Sequence, residues 1–161
     1  MTGHAAVFSA VFAALYAAHE IGDHWIQTHP QAAGKARPGW AGRMACARHV
    51  ASLAAVKAAA VAVVVYVLGV PVSPFAVAGG LTADAVSHYW ADRGTTLAAF
   101  AGWLGRTLVP GKGEFYRRGA PRPGHDDAPH LGTGAYALDQ SWHIGWLFVA
   151  ALVASIGAGV A

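Results

Sequence analysis

The sequence predicts an all-α integral membrane fold, a four-helix bundle with a short interfacial helix and a cytoplasmic loop, and three observations carry that expectation. Apolar residues make up 55% of the 161-residue chain and charged residues only 12%, against about 25% charged in ordinary soluble chains. Four apolar segments each come near or exceed the ~20 residues that cross a hydrocarbon core as a helix. Basic residues gather in two of the three connections between those segments and are missing from the remaining one.

The first segment runs from about residue 5 to 27. It lacks the basic run that precedes the apolar stretch of a signal peptide, so it reads as a retained helix. The second, about 44–70, contains the unbroken stretch Ala58–Leu68. The third covers about 74–92 and the fourth about 133–160. A shorter apolar stretch, about 95–109, is too short to span and reads as a helix lying in the interface. Residues 110–132 are rich in Pro and Gly and read as a loop. The whole of 1–161 is thus a single polytopic domain.

Lys35, Arg37, Arg43 and Arg48 lie at or near the first connection. Arg93, Arg106, Lys112, Arg117, Arg118 and Arg122 lie in the third. The positive-inside rule puts both connections in the cytoplasm and both termini on the far side of the plasma membrane. Only Lys57, inside the second segment, departs from this pattern, and it either snorkels or faces the bundle interior. The pI near 9.3 is explained by these juxtamembrane charges. There is no helix-turn-helix pattern and no basic strand interleaved with aromatics, so nucleic acid is not an expected partner. The lone cysteine, Cys46, excludes an internal disulfide and any Cys-based zinc motif. It reads as a small packing residue.

Five of the eight acidic residues, Glu20, Asp23, Asp84, Asp92 and Asp139, sit in or at the ends of apolar segments, where charge is costly without compensation. The compensation is in the spacing. His19 and Asp23, then Asp84, His88 and Asp92, then Asp139 and His143 follow one another at i,i+4. Residues four apart share a helix face and can point at one centre. His49 opens the second segment. Segments one and three run toward the cytoplasm and carry these residues late, whereas segments two and four run away from it and carry theirs early. All four sets therefore fall in the same half of the membrane, a coincidence the charge rule does not require.

Imidazole and carboxylate donors together suit Zn, with Mn or Fe next, better than Ca or Mg. The expected ligands to one or two such ions are His19, Asp23, His88, Asp92, Asp139 and His143. His49 and Asp84 follow as catalytic candidates, in the role of ligand, general base or support behind the ligands. Gln27 and Gln140 neighbour the site, whereas Glu20 and His24 point about 100° away from the His19/Asp23 face. Trp25, Tyr89, Trp90 and Trp142 sit where an aromatic belt belongs, and His125, Asp126, Asp127 and His130 could cover the site from the loop. The chemistry expected of such a centre is metal-dependent hydrolysis of a lipid headgroup or phosphate ester at the cytoplasmic face. Two other classes remain open: a metal-ion or proton carrier, and a non-enzymatic membrane module whose polar core only fixes helix packing.

The same residues resemble a known family. His19-Glu-Ile-Gly-Asp23-His-Trp-Ile-Gln27 is similar to an H-x-x-x-D-x-x-x-Q signature, His88-Tyr-Trp-Ala-Asp92 to an H-x-x-x-D motif, and Asp139-Gln140-Ser-Trp-His143 to a closing D-Q-x-x-H motif. His49 falls where a histidine opens the second helix. The set resembles the small bacterial and phage membrane proteins grouped as domain of unknown function 3307, over about His19 to Leu147. The resemblance implies a polytopic membrane protein with a functional His/Asp cluster, and it supplies no reaction. Where that family often has an aromatic after the first Asp and a Lys after H-x-x-x-D, this chain has His24 and Arg93.

Overall fold

The computed structural model describes residues 2–120 and 132–156 and is all-helical among them. Helix α1 (Thr2–Ile21) runs into a π-helical turn, Gly22–Ile26, closed by the Gln27 amide on the Gly22 carbonyl at 2.9 Å. There follow α2 (His29–Gly34), α3 (Gly39–Leu68), α4 (Pro74–Ala91), α5 (Thr95–Thr107), α6 (Lys112–Arg117) and α7 (Gly134–Ser155). The helix starts follow local chemistry. The Ser73 hydroxyl accepts from the Ala76 amide at 3.4 Å, with Pro74 in the first turn, and Thr133 does the same for Tyr136 at 3.1 Å. At α2, Gln31 Oε1 accepts from the Thr28 amide at 2.8 Å. Gly69, in the left-handed region at φ 60°, ends α3.

The four long helices pack in a ring: α1 against α3 and α7, and α4 against α3 and α7. At one end the interior is apolar, built from Val7, Val11, Leu15, Val61, Leu147, Ala150, Ala151 and Ala154. Gly80 lets α4 lie directly on α7, since a Cβ there would stand 2.5 Å from the Ala150 carbonyl oxygen. The opposite end of the ring holds the polar cluster. The two-ended interior is the arrangement that the late–early–late–early placement of His and Asp predicts.

Two helices among the described residues are long and apolar enough to cross a membrane, Gly3–Ile26 and Gly39–Leu68. Helices α4 and α7 are less apolar because they carry Asp84, His88, Asp139, Gln140 and His143. The helices differ from the sequence expectation at their edges. Helix α3 begins at Gly39, a turn before the expected residue 44, and the expected 95–109 helix ends at Thr107. Helix α6 falls in the stretch expected to be a loop, and α2 in the connection between the first two segments. The proposed cover of His125, Asp126, Asp127 and His130, and residues 157–160 of the fourth segment, lie outside the described residues.

Candidate metal centre

Each long helix delivers one histidine to a common point. His19 comes from the end of α1, His49 from the first third of α3, His88 from the end of α4 and His143 from the first half of α7. All four rings are almost wholly buried, none more than 1% exposed. Asp23 enters from the π-helical turn and Asp92 from the residue that ends α4.

The tightest part of the cluster is a set of four donors. His49 Nε2 lies 3.0 Å from Asp23 Oδ1, 3.4 Å from Asp92 Oδ2 and 3.1 Å from His88 Nε2. His88 Nε2 lies 3.2 Å from Asp92 Oδ2 and 3.9 Å from Asp23 Oδ1. Donors around a tetrahedral ion at ~2.0 Å stand roughly 3.3 Å apart, so these spacings suit an ion such as zinc. Two groupings of ligand atoms lie close enough to hold an ion, Asp23–His49–His88 and His88–Asp92–His143.

Around that set stand His19, whose Nε2 is 3.5 Å from Asp23 Oδ2, and His143, whose Nε2 is 3.9 Å from Asp92 Oδ1 and 3.5 Å from Asp139 Oδ1. These approaches are not well-formed hydrogen bonds. Among the described residues, both ring nitrogens of His19 and of His143, Asp23 Oδ1 and Asp92 Oδ2 are buried without a hydrogen-bond partner. Buried polar atoms are normally satisfied, and each orphan costs about 1–3 kcal/mol. The 3.1 Å contact between two imidazole Nε2 atoms needs one ring to supply a proton; a cation between the rings would instead use a lone pair from each. The donor types, their spacing and their unmet valences all fit a divalent metal ion.

Of the expected site residues, His19, Asp23, His49, His88, Asp92 and His143 meet in this cluster. Asp139 stands at its edge, 31% exposed. Asp84 lies elsewhere. It is eight residues from Asp92 on α4, about 12 Å along the axis at 1.5 Å per residue, and its Oδ2 pairs with Lys57 Nζ at 2.6 Å. Both partners are buried. Lys57 therefore faces the interior rather than snorkelling. His24 and Glu20 sit off the cluster as a local exposed pair, 3.7 Å apart. Trp142 donates from Nε1 to Ser87 Oγ at 2.9 Å and packs on Trp90, so these belt candidates also brace α4 against α7.

A cavity of about 480 Å³ opens onto the cluster. Its polar lining consists of Asp23, Asp92 and Asp139 together with His24, Gln27, Lys35, Tyr116, Tyr136 and Gln140. Sequence spacing puts Gln27 and Gln140 near the site but assigns no role there to Lys35, Tyr116 or Tyr136. Lys35 arrives because α2 folds over α3 and because Arg93 donates to the carbonyls of Lys35 and, at 2.7 Å, of Arg37. Lys35 Nζ then reaches Asp92 Oδ1 at 2.9 Å. Burial works to lower the Lys35 pKa, but the Asp92 and Asp23 carboxylates outweigh it and the ammonium is held above its ordinary value. Burial, aided by Asp139, likewise raises the Tyr116 phenol, keeping it a donor.

No family model, no curated protein and no solved structure matches this chain.

Proposed function

We propose that this chain is a multi-pass plasma-membrane protein that uses a His/Asp-bound divalent metal ion, zinc before manganese or iron, to hydrolyse a phosphate ester. The observation that carries this reading is the convergence of buried imidazole and carboxylate donors with unmet valences behind a cavity that Asp23, Asp92 and Asp139 line. The motif residues that meet there are also those resembling domain of unknown function 3307, and membership of that family is part of the proposal.

Four crossings, by α1, α3, α4 and α7, are supported by the outward-facing apolar surface. Val63, Tyr66, Val67, Leu68, Phe75 and Ile156 are each at least 60% exposed around the apolar end of the ring, a surface that water would disfavour. The basic connections flank the polar end, which by the positive-inside rule faces the cytoplasm. The cluster then lies at headgroup depth, and a lipid phosphate ester can reach the cavity without leaving the membrane. A free phosphate ester shares the same chemistry.

A divalent ion held by this donor set supplies Lewis acidity and makes a water molecule easier to deprotonate. The remaining work falls to the chain. Lys35 offers a fixed positive charge to a phosphate group, and Tyr116, Gln27 and Gln140 offer neutral hydrogen bonds around it. Asp139 faces the cavity at the edge of the cluster and is placed to accept the proton of the attacking water. Water oxygen bonds to phosphorus, the ester P–O bond breaks, and the proton returned from Asp139 goes to the departing alcohol oxygen.

The carrier reading meets the apolar end of the ring, where Val7, Val11, Leu15, Val61 and Leu147 fill the interior beyond the Lys57–Asp84 pair and present no path for an ion. The purely structural reading leaves the orphaned ring nitrogens without a purpose.

The test is hydrolysis by detergent-purified, metal-loaded protein of a chromogenic phosphate ester and, in parallel, of an anionic phospholipid in mixed micelles. Metal-dependent turnover, reduced about 10²–10⁴-fold in Asp139→Asn, is expected, and the favoured substrate arm separates lipid from free ester. Turnover of neither substrate, or turnover indifferent to chelator, overturns the hydrolase.

A further inference from the structure

We infer that the cluster is built for two adjacent metal ions bridged by Asp23 and Asp92, which deepens the proposed metal-dependent function and rests on it. The donors divide into two matched halves. One half is His49 and His88, whose ring centroids are 5.1 Å apart. The other is His19 and His143, whose centroids are 5.3 Å apart. Each bridging carboxylate shows one oxygen to each half. Asp23 turns Oδ1 toward His49 at 3.0 Å and Oδ2 toward His19 at 3.5 Å. Asp92 turns Oδ2 toward His88 at 3.2 Å and His49 at 3.4 Å, and Oδ1 toward His143 at 3.9 Å. The first half thus offers two imidazoles and one oxygen from each carboxylate, and in the second Asp23 Oδ2 stands beside His19 and Asp92 Oδ1 beside His143.

The stacking of His88 on His143 separates the halves. Their rings lie 3.9 Å apart at an interplanar angle of 23°, and the Nε2 atoms of both approach the Asp92 carboxylate. By distance alone His88, Asp92 and His143 could share an ion, but in-plane lone pairs on near-parallel stacked rings run side by side and converge poorly on one point. They serve two ions, and the ring spacing matches the ~3.5–4 Å separation usual in two-metal sites. A single ion in the His49/His88 half leaves His19 and His143 with all four ring nitrogens buried and unpartnered; a second ion uses an Nε2 from each. Lys35 Nζ, at 2.9 Å, occupies one side of Asp92 Oδ1, an oxygen with a second lone pair to give. Asp139 Oδ1, 3.5 Å from His143 Nε2, borders the second half on its cavity side, placed to act as the base.

The occupants are two divalent cations of the zinc or manganese type. For phosphate ester hydrolysis this is the arrangement that can stabilise both the attacking and the departing oxygen.

The experiment strips full-length protein in detergent with chelator, removes the chelator, reloads with Zn²⁺ or Mn²⁺, and counts tightly held metal by elemental analysis. The manganese form is also read by electron paramagnetic resonance. Wild type should hold two equivalents and show the spectrum of an exchange-coupled Mn pair. His143→Ala and His19→Ala, each checked for a folded monodisperse state, should hold one equivalent with an isolated-ion spectrum, and Asp139→Asn should keep two. One equivalent with an isolated-ion spectrum in wild type overturns the second site and leaves a single-ion centre standing. No tightly held metal in wild type removes both. The wild-type count and spectrum decide the matter even if a histidine variant does not fold.

Discussion

The two ends of the helix ring are made from the same four helices and differ in what completes them. At the apolar end, Val7, Val11, Leu15, Val61 and Leu147 fill the interior with hydrocarbon and need nothing more. At the polar end, four histidines and two aspartates fill a similar interior but leave buried nitrogens and oxygens without partners. The first end is self-sufficient and sets the shape; the second depends on what it binds. Between them lies the Lys57–Asp84 pair at 2.6 Å, where a buried charge is balanced within the protein itself.

That border is where the contrast is easiest to disrupt. Lys57→Met strands a buried Asp84 and should destabilise the fold by about 3–5 kcal/mol, the usual cost of removing one partner of a buried pair. Lys57→Met with Asp84→Leu should recover most of that loss. Thermal unfolding in detergent reads both, and equal damage from the single and double variants would show that the pair is not the relevant balance.

Leu147→Ala, at a fully buried position of the apolar end, should cost about 2–5 kcal/mol through the cavity it leaves. The folded fraction should keep its full metal content. Coupled loss of metal would mean that the two ends are not separable.

Chelation probes the opposite end. Removing a metal present at about 100 times its dissociation constant should lower stability by about 2.7 kcal/mol. His49→Ala/His88→Ala should show a smaller chelator effect, because the His49/His88 part of the site is already lost. A melting temperature in wild type that ignores chelator would contradict a dependence of the polar end on its ligand.

Two smaller effects concern the helix contacts that both ends share. Gly80→Ala pushes a Cβ to 2.5 Å from the Ala150 carbonyl oxygen and should cost about 1–3 kcal/mol by overpacking α4 on α7. Thr133→Ala removes the cap of α7 and should cost about 1 kcal/mol. Denaturation midpoints rank the two variants, and a larger loss for Thr133→Ala than for Gly80→Ala would reverse the expected order.

Much of the polar end is legible in the sequence because its residues recur at i,i+4, and helical geometry converts that spacing into a shared face. Chain direction supplies the rest, since alternating sense puts late residues of α1 and α4 beside early residues of α3 and α7. What stays hidden depends on register between helices or on short elements. That Lys57 meets Asp84 follows from how α3 and α4 slide past each other, which neither helix encodes alone. Asp84 shares the face of His88 and Asp92 but sits too far along the axis to join them. Lys35 looks like one more juxtamembrane charge until α2, a six-residue helix too short to announce itself by periodicity, lays it against Asp92. The π-helical turn that carries Asp23 leaves no sequence mark beyond Gly22. Helices α4 and α7 are harder to see as crossings for the same reason they matter, since the site residues dilute their hydropathy.

Everything proposed for the polar end depends on its holding divalent metal through the histidines and aspartates brought together by all four long helices. Elemental analysis of protein purified in detergent without chelator or polyhistidine tag, beside a folded His49→Ala/His88→Ala variant, tests that dependence most directly. At least one equivalent of zinc, manganese or iron is expected in wild type and at least one equivalent fewer in the variant. Wild-type protein that carries no metal, and takes up none when each ion is supplied, would contradict it.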